Sequence, residues 1–312
     1  MHMSPDDQPA DFAIPNSRTI TIESSINGRP YALFLGLPLM PPPVGGYRPL
    51  FLLDGNRYFA SACEAVRWNF NAPDVLVVGL GYPETPEFAA ASLAERGALS
   101  DAEARLPGMV AAIGRERRYD LTLPVPLRHS FPNIPADPSA SGGLDAFLDT
   151  IERDILPMVA RIAPVDMASS AFFGHSLGGL AILYSLFTRP KLFKSYIAAS
   201  PSIWWADRAL LDYERNFAQS SPSFDEARRL LITMGANENE PGQMPPGTDV
   251  EQTRALFRYA NMVENGRAMV ERLSALDHRT LQVGDYAVFA EQDHGLSAWP
   301  AIGRAVGFAF QP

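Results

Sequence analysis

One cysteine in 312 residues removes two chemistries at once. Cys63 has no second cysteine to form an internal disulfide, and it forms no metal-ligand spacing with the five scattered histidines. It lies in the apolar stretch YFASACEAV, where a small buried residue fits, so it reads as core. Runs of positive charge are also missing. Lys+Arg total 26 against Asp+Glu 35, a net charge of −9, and no basic stretch tracks phosphates, which argues against a nucleic-acid partner. Long apolar runs are absent too. YALFLGLPLM at 31–40 is too short to span a bilayer and runs into prolines, so no membrane span is expected. Residues 1–18 are polar, acidic and proline-bearing, without the basic-then-apolar order of a secretory signal. They read as a flexible tail, and the expected location is cytoplasmic.

What is present is an alternation. Short β-rich runs occur at 19–23, 31–36, 49–53, 74–80, 170–175, 194–200, 229–235 and 286–291, which predicts eight strands. Between them lie helical stripes. Leu144, Phe147, Leu148, Ile151, Ile155, Val159 and Ile162 fall on one face, as do Leu256, Tyr259, Ala260, Val263, Val270 and Leu273. Strands alternating with helices imply crossovers and a mainly parallel sheet covered on both faces, with an antiparallel start because no helix separates the first two strands. Proline is concentrated at 38–43, 123–138 and 241–247, which reads as surface loops rather than a domain linker. The expected organisation is therefore one α/β domain over 19–312. It carries a helix-prone insertion at about 83–118, either a lid or a surface hairpin.

The predicted strand SAFFGH runs into GHSLGG at 174–179 and then into the apolar helix LAILYSLF. Strand, tight turn and helix are what a G-x-S-x-G elbow requires physically, and they make Ser176 the candidate nucleophile. Among the histidines, His2 lies in the tail, His129 in a proline-rich loop, His175 beside the serine and turned away from it, and His278 at a polar turn. His294 instead follows a predicted strand and precedes an apolar helix, the position for a general base. The acid belongs after RLLITMG, where Glu238 is first choice and Glu240 the alternative; if neither serves, a Ser-His dyad remains. The oxyanion donors expected are the N–H of Leu177, next to the serine, and that of Asn56 in the LDGN turn. No Walker or Rossmann glycine pattern follows the early strands, and this chemistry needs no cofactor.

GHSLGGLAILYSLFTRP, AASPSIWW, LLITMGANE, LLDGN and DHG together resemble the esterase D-type α/β-hydrolases, in their ferric siderophore (enterobactin or salmochelin) esterase-like branch. The resemblance spans most of the chain from about residue 19. It implies an α/β-hydrolase fold with Ser176, His294 and Glu238 as the catalytic set. It also implies substrate contacts from Arg117, in Arg117-Arg118-Tyr119-Asp120, and from the Trp204-Trp205 pair. The expected activity is serine carboxylic ester hydrolysis through an acyl-enzyme on a small-molecule ester. Siderophore-type lactones are the specific reading and short-chain or aryl esters the general one. An acyltransferase using the same serine and a non-catalytic binding protein are the rivals.

Overall fold

The computed structural model describes residues 13–95, 106–126, 140–220, 224–242, 244, 249–277, 279 and 281–311. His2, His129 and His278, most of the 1–18 tail and most of the two later proline-rich stretches lie outside the described residues. The strands are β1 (Ser17–Glu23), β2 (Pro30–Gly36), β3 (Arg48–Leu52), β4 (Val75–Gly81), β5 (Ala171–His175), β6 (Ser195–Ala199), β7 (Arg228–Gly235), β8 (Leu281–Val283) and β9 (Ala287–Phe289). The helices are α1 (Gly55–Arg67), α2 (Pro86–Glu95), α3 (Gly108–Asp120), α4 (Leu144–Thr150), α5 (Leu156–Ile162), α6 (Leu177–Thr188), the short turn α7 (Trp205–Arg208), α8 (Leu210–Ser220), α9 (Val250–Ala260), α10 (Met262–Ser274) and α11 (Ala298–Phe310).

The nine strands among the described residues form one sheet in the order β1-β2-β4-β3-β5-β6-β7-β8, with β9 also on β7. Pairings β1–β2 and β2–β4 are antiparallel, and every other pairing is parallel. The parallel strands β4, β5 and β6 are buried along their whole length, because helices cover both faces. Neighbouring side chains alternate accordingly: Phe172 belongs to the core beneath α4 to α6, and Phe173 to the core beneath α1 and α11.

Three details depart from the sequence pattern. The strand expected at 286–291 is the shorter β9, and a second short strand, β8, precedes it where none was expected. After Val283 the Gly284 N–H still bonds to Leu230, but Tyr286 then swings out and donates its hydroxyl to the Val263 carbonyl, so pairing resumes only at Ala287. The stripe from Leu256 to Leu273 is broken at Asn261, whose left-handed backbone (φ 41) ends α9 and begins α10. The stripe from Leu144 to Ile162 does run through, but a π-helical stretch at Ile151–Ile155 precedes Pro157, which lacks the N–H that would continue the ladder. Among the described residues, no helix is long and apolar enough to cross a membrane.

Candidate active site

The carboxyl ends of β3, β5, β6, β7 and β9 converge on one edge of the sheet, and the elbow after β5 is strained. Ser176 has φ 63 and ψ −117, a conformation that costs a non-glycine residue on the order of 1–3 kcal/mol. Backbone bonds to the neighbouring strand end hold it there: Ser176 N–H donates to Ala199 at 3.0 Å, and Ser202 N–H to the Ser176 carbonyl at 3.1 Å. Gly174 is sterically compelled, since a β-carbon there would come within 2.5 Å of the Gly178 backbone. Gly178 itself is less constrained, its nearest neighbour being Asp54 Oδ2 at 3.4 Å.

His294 sits in the turn between β9 and α11. The Asp293 carboxylate accepts from the N–H groups of Gly295 and Leu296, both at 2.9 Å, and this fixes the turn. The imidazole Nε2 lies 2.9 Å from Ser176 Oγ, and Nδ1 lies 2.7 Å from Glu238 Oε2. Glu238 has no exposed side-chain surface, while the His294 side chain is 35% exposed. The loop carrying the glutamate is tied to the histidine loop by Asn237 N–H to the Gln292 carbonyl at 3.0 Å. Thus Ser176, His294 and Glu238, three residues from three loops, form one hydrogen-bonded line. Glu240 is exposed and outside it.

The expected oxyanion donors lie at two helix starts. Leu177 and Asn56 stand in the first turns of α6 and α1, where backbone N–H groups have no preceding carbonyl within the helix. The Asn56 side chain is engaged elsewhere, bonding to both the N–H and the carbonyl of Tyr82 at 2.8 Å and to Glu84 at 2.9 Å. Its main-chain N–H is one of the first-turn amides of α1 that have no carbonyl partner within the helix.

The residues expected to touch substrate are placed differently. Arg117 donates through Nε to Asp54 Oδ1 at 2.6 Å and through Nη2 to the His175 carbonyl at 3.2 Å, so its guanidinium joins two loops of the site. Trp205 is wholly buried, a core residue rather than a stacking surface. Trp204 keeps a thin exposed edge and packs edge-on against Tyr259. Sequence reading missed Asp54, whose left-handed backbone (φ 57) turns the chain into α1, and Ser202, whose hydroxyl is 3.4 Å from that of Ser176. Each carried only the signal of an ordinary turn residue.

A mainly parallel sheet with an elbow serine after β5, a carboxylate after β7 and a histidine after the last strand defines an α/β-hydrolase of the serine type. The family described as "Putative esterase" matches residues 128–279. The chain is 34% identical over 246 residues to the siderophore triacetylfusarinine C esterase of Aspergillus fumigatus, covering 75% of this chain and 73% of that one. It is 28% identical over 310 residues to the ferri-bacillibactin esterase BesA of Bacillus subtilis, covering 96% and 92%. The solved structure of the siderophore hydrolase EstA from Aspergillus nidulans matches with a TM-score of 0.74 at 28% identity, over 99% of this chain and 97% of that one. The chain belongs to the siderophore esterase-like family of α/β-hydrolases and is a carboxylic ester hydrolase.

Proposed function

We propose that this hydrolase cleaves the backbone esters of a siderophore, with Ser176 as nucleophile, His294 as base and Glu238 as the orienting acid. The observation that carries the catalytic part is the pair of contacts on one imidazole, 2.9 Å to the hydroxyl and 2.7 Å to the carboxylate. As Ser176 Oγ bonds to the ester carbonyl carbon, its proton passes to His294 Nε2. The imidazolium that forms is stabilised by Glu238. The N–H groups of Leu177 and Asn56 hold the developing oxyanion. Collapse of the tetrahedral species expels the alcohol, which takes the proton from His294 and leaves an acyl group on Ser176. Water then repeats the cycle on that acyl group, releasing the acid and the free serine.

The substrate part is supported by the relatives, which are named for siderophore esters and match along most of this chain. Two measurements test the reading. Ser176→Ala is expected to abolish p-nitrophenyl ester hydrolysis and to remove the adduct formed by a fluorophosphonate probe; full activity in that variant rejects the nucleophile. Turnover of ferric siderophore esters no better than background leaves a general short-chain esterase.

A further inference from the structure

Ser297 is the N-cap residue of α11, yet its side chain makes no capping bond. An N-cap serine ordinarily accepts from the second or third amide of its own helix. Here the hydroxyl is buried and meets three other groups: Ser200 Oγ at 2.9 Å, the His294 carbonyl at 3.2 Å and His175 Nε2 at 3.3 Å. Ser200 in turn donates to Glu238 Oε1 at 2.5 Å, beside the Gly235 N–H at 2.6 Å. It does so from a left-handed backbone, φ 44, that a serine adopts only at a cost. At the other end, the Tyr58 hydroxyl lies 3.2 Å from Nδ1 of His175.

Counting protons gives these contacts a direction. An ionised Glu238 only accepts, so the Ser200 hydrogen goes to it, and Ser200 Oγ must then accept from Ser297. Ser297 has one hydrogen, directed to Ser200 and the His294 carbonyl, so its contact with His175 needs a hydrogen on Nε2. His175 is held uncharged: burial first, and then neighbouring His294 and Arg117, push its pKa well below the ordinary imidazole range. A neutral ring with hydrogen on Nε2 leaves Nδ1 to accept from Tyr58. Neutrality also matters for His294, whose ring centroid is 4.8 Å from that of His175; a cation there would oppose formation of the imidazolium.

We propose that Tyr58, His175, Ser297 and Ser200 form a one-way chain of donors, running from the Tyr58 hydroxyl through the Nε2–H tautomer of His175, that fixes the Glu238 carboxylate against Nδ1 of His294. None of the four is assigned a contact with the reacting ester; they are positioning residues, and the proposal rests on the catalytic set proposed above.

Nitrogen-15 NMR of the imidazoles reads the tautomer in the wild-type protein, without any variant. The expected result is a neutral His175 with hydrogen on Nε2 from about pH 5 to about pH 8; hydrogen on Nδ1, or an imidazolium in that range, overturns the chain. Ser297→Ala is expected to lower kcat for p-nitrophenyl acetate about tenfold with KM unchanged, and Ser297→Thr to restore it. A wild-type kcat in Ser297→Ala overturns the proposal. Ser176→Ala separates the two readings. If that variant keeps its activity, the catalytic set falls and this chain with it. If it is inactive while Ser297→Ala is fully active, only the donor chain falls.

Discussion

Arg117 Nε lies 2.6 Å from Asp54 Oδ1, and the same guanidinium donates to the His175 carbonyl at 3.2 Å, so α3 ties the turn that begins α1 to the strand end that begins the elbow. Those two segments carry Asn56 and Leu177, the proposed oxyanion donors. Asp54 is buried and its other oxygen has no partner among the described residues, so the pair is the carboxylate's chief compensation for leaving water. A lysine keeps the charge but not the fork that reaches both loops. Arg117→Lys is therefore expected to lower kcat on a small neutral ester about tenfold with KM nearly unchanged. A raised KM for siderophore esters with untouched p-nitrophenyl acetate turnover would instead make Arg117 a substrate-binding residue.

Glu238 and Glu240 are two residues apart, but only Glu238 reaches His294. Glu238→Gln removes the negative charge facing Nδ1 and is expected to lower kcat on the order of 10³- to 10⁴-fold, as in a fully coupled triad. Glu240→Gln is expected to leave kcat within about twofold, as an exposed substitution should. Equal small losses in both variants would point to a Ser-His dyad.

Much of this arrangement was legible in the sequence because it depends on local chemistry. GHSLGG needs a strand before it and a helix after it, and both are visible as apolar runs with different periods. His294 emerged by elimination among five histidines. Ser200 and Ser297 did not, because a serine after a strand or ahead of a helix already has an ordinary explanation as turn or cap. β8 was hidden for a different reason: at three residues it is too short for an alternating pattern to show, and after it Tyr286 leaves the edge to bond to α10, a contact 23 residues away in the chain. Trp205 reads as a substrate contact because the family resemblance implies an aromatic pair there, whereas packing places its ring in the core.

Asp120 gives the fold a pH dependence of its own. It is buried beside Arg29, Glu116 and Tyr82, and its pKa is pushed up to about 7, burial being the main cause, with Arg29 opposing it and Glu116 adding to it. The folded state therefore holds this proton more tightly than the unfolded chain does. The resulting stability is fully present below the unfolded carboxyl range and is lost as pH rises through about 7. Asparagine mimics the protonated form. Asp120→Asn is expected to melt close to the wild type at about pH 5 and several degrees above it at about pH 8, by calorimetry. A lower melting temperature than wild type at the higher pH would mean that the carboxylate stabilises the fold through Arg29.

Charge at the rim bears on which siderophore ester is preferred, given the siderophore reading. Among the described residues, Arg117 is paired with Asp54, and Arg118 donates to the Ala140 carbonyl at 3.3 Å, so neither guanidinium is freely presented to an anion. Arg57 is exposed in the first turn of α1, but Glu84, Asp207, Glu240 and Glu291 are exposed in the segments that follow β4, β6, β7 and β9, Asp207 within α7. A ferric tris-catecholate carries three negative charges, and among these five described residues carboxylates outnumber the guanidinium four to one. A ferric tris-hydroxamate is uncharged and meets no such barrier. At about 20 mM salt, kcat/KM is expected to favour the hydroxamate triester about tenfold, through its association rate. By about 0.5 M salt, screening should close most of that gap, and it should do so by raising the catecholate value. Faster turnover of the catecholate at low salt, falling as salt is added, would mean that Arg57 and its surroundings attract the anion after all.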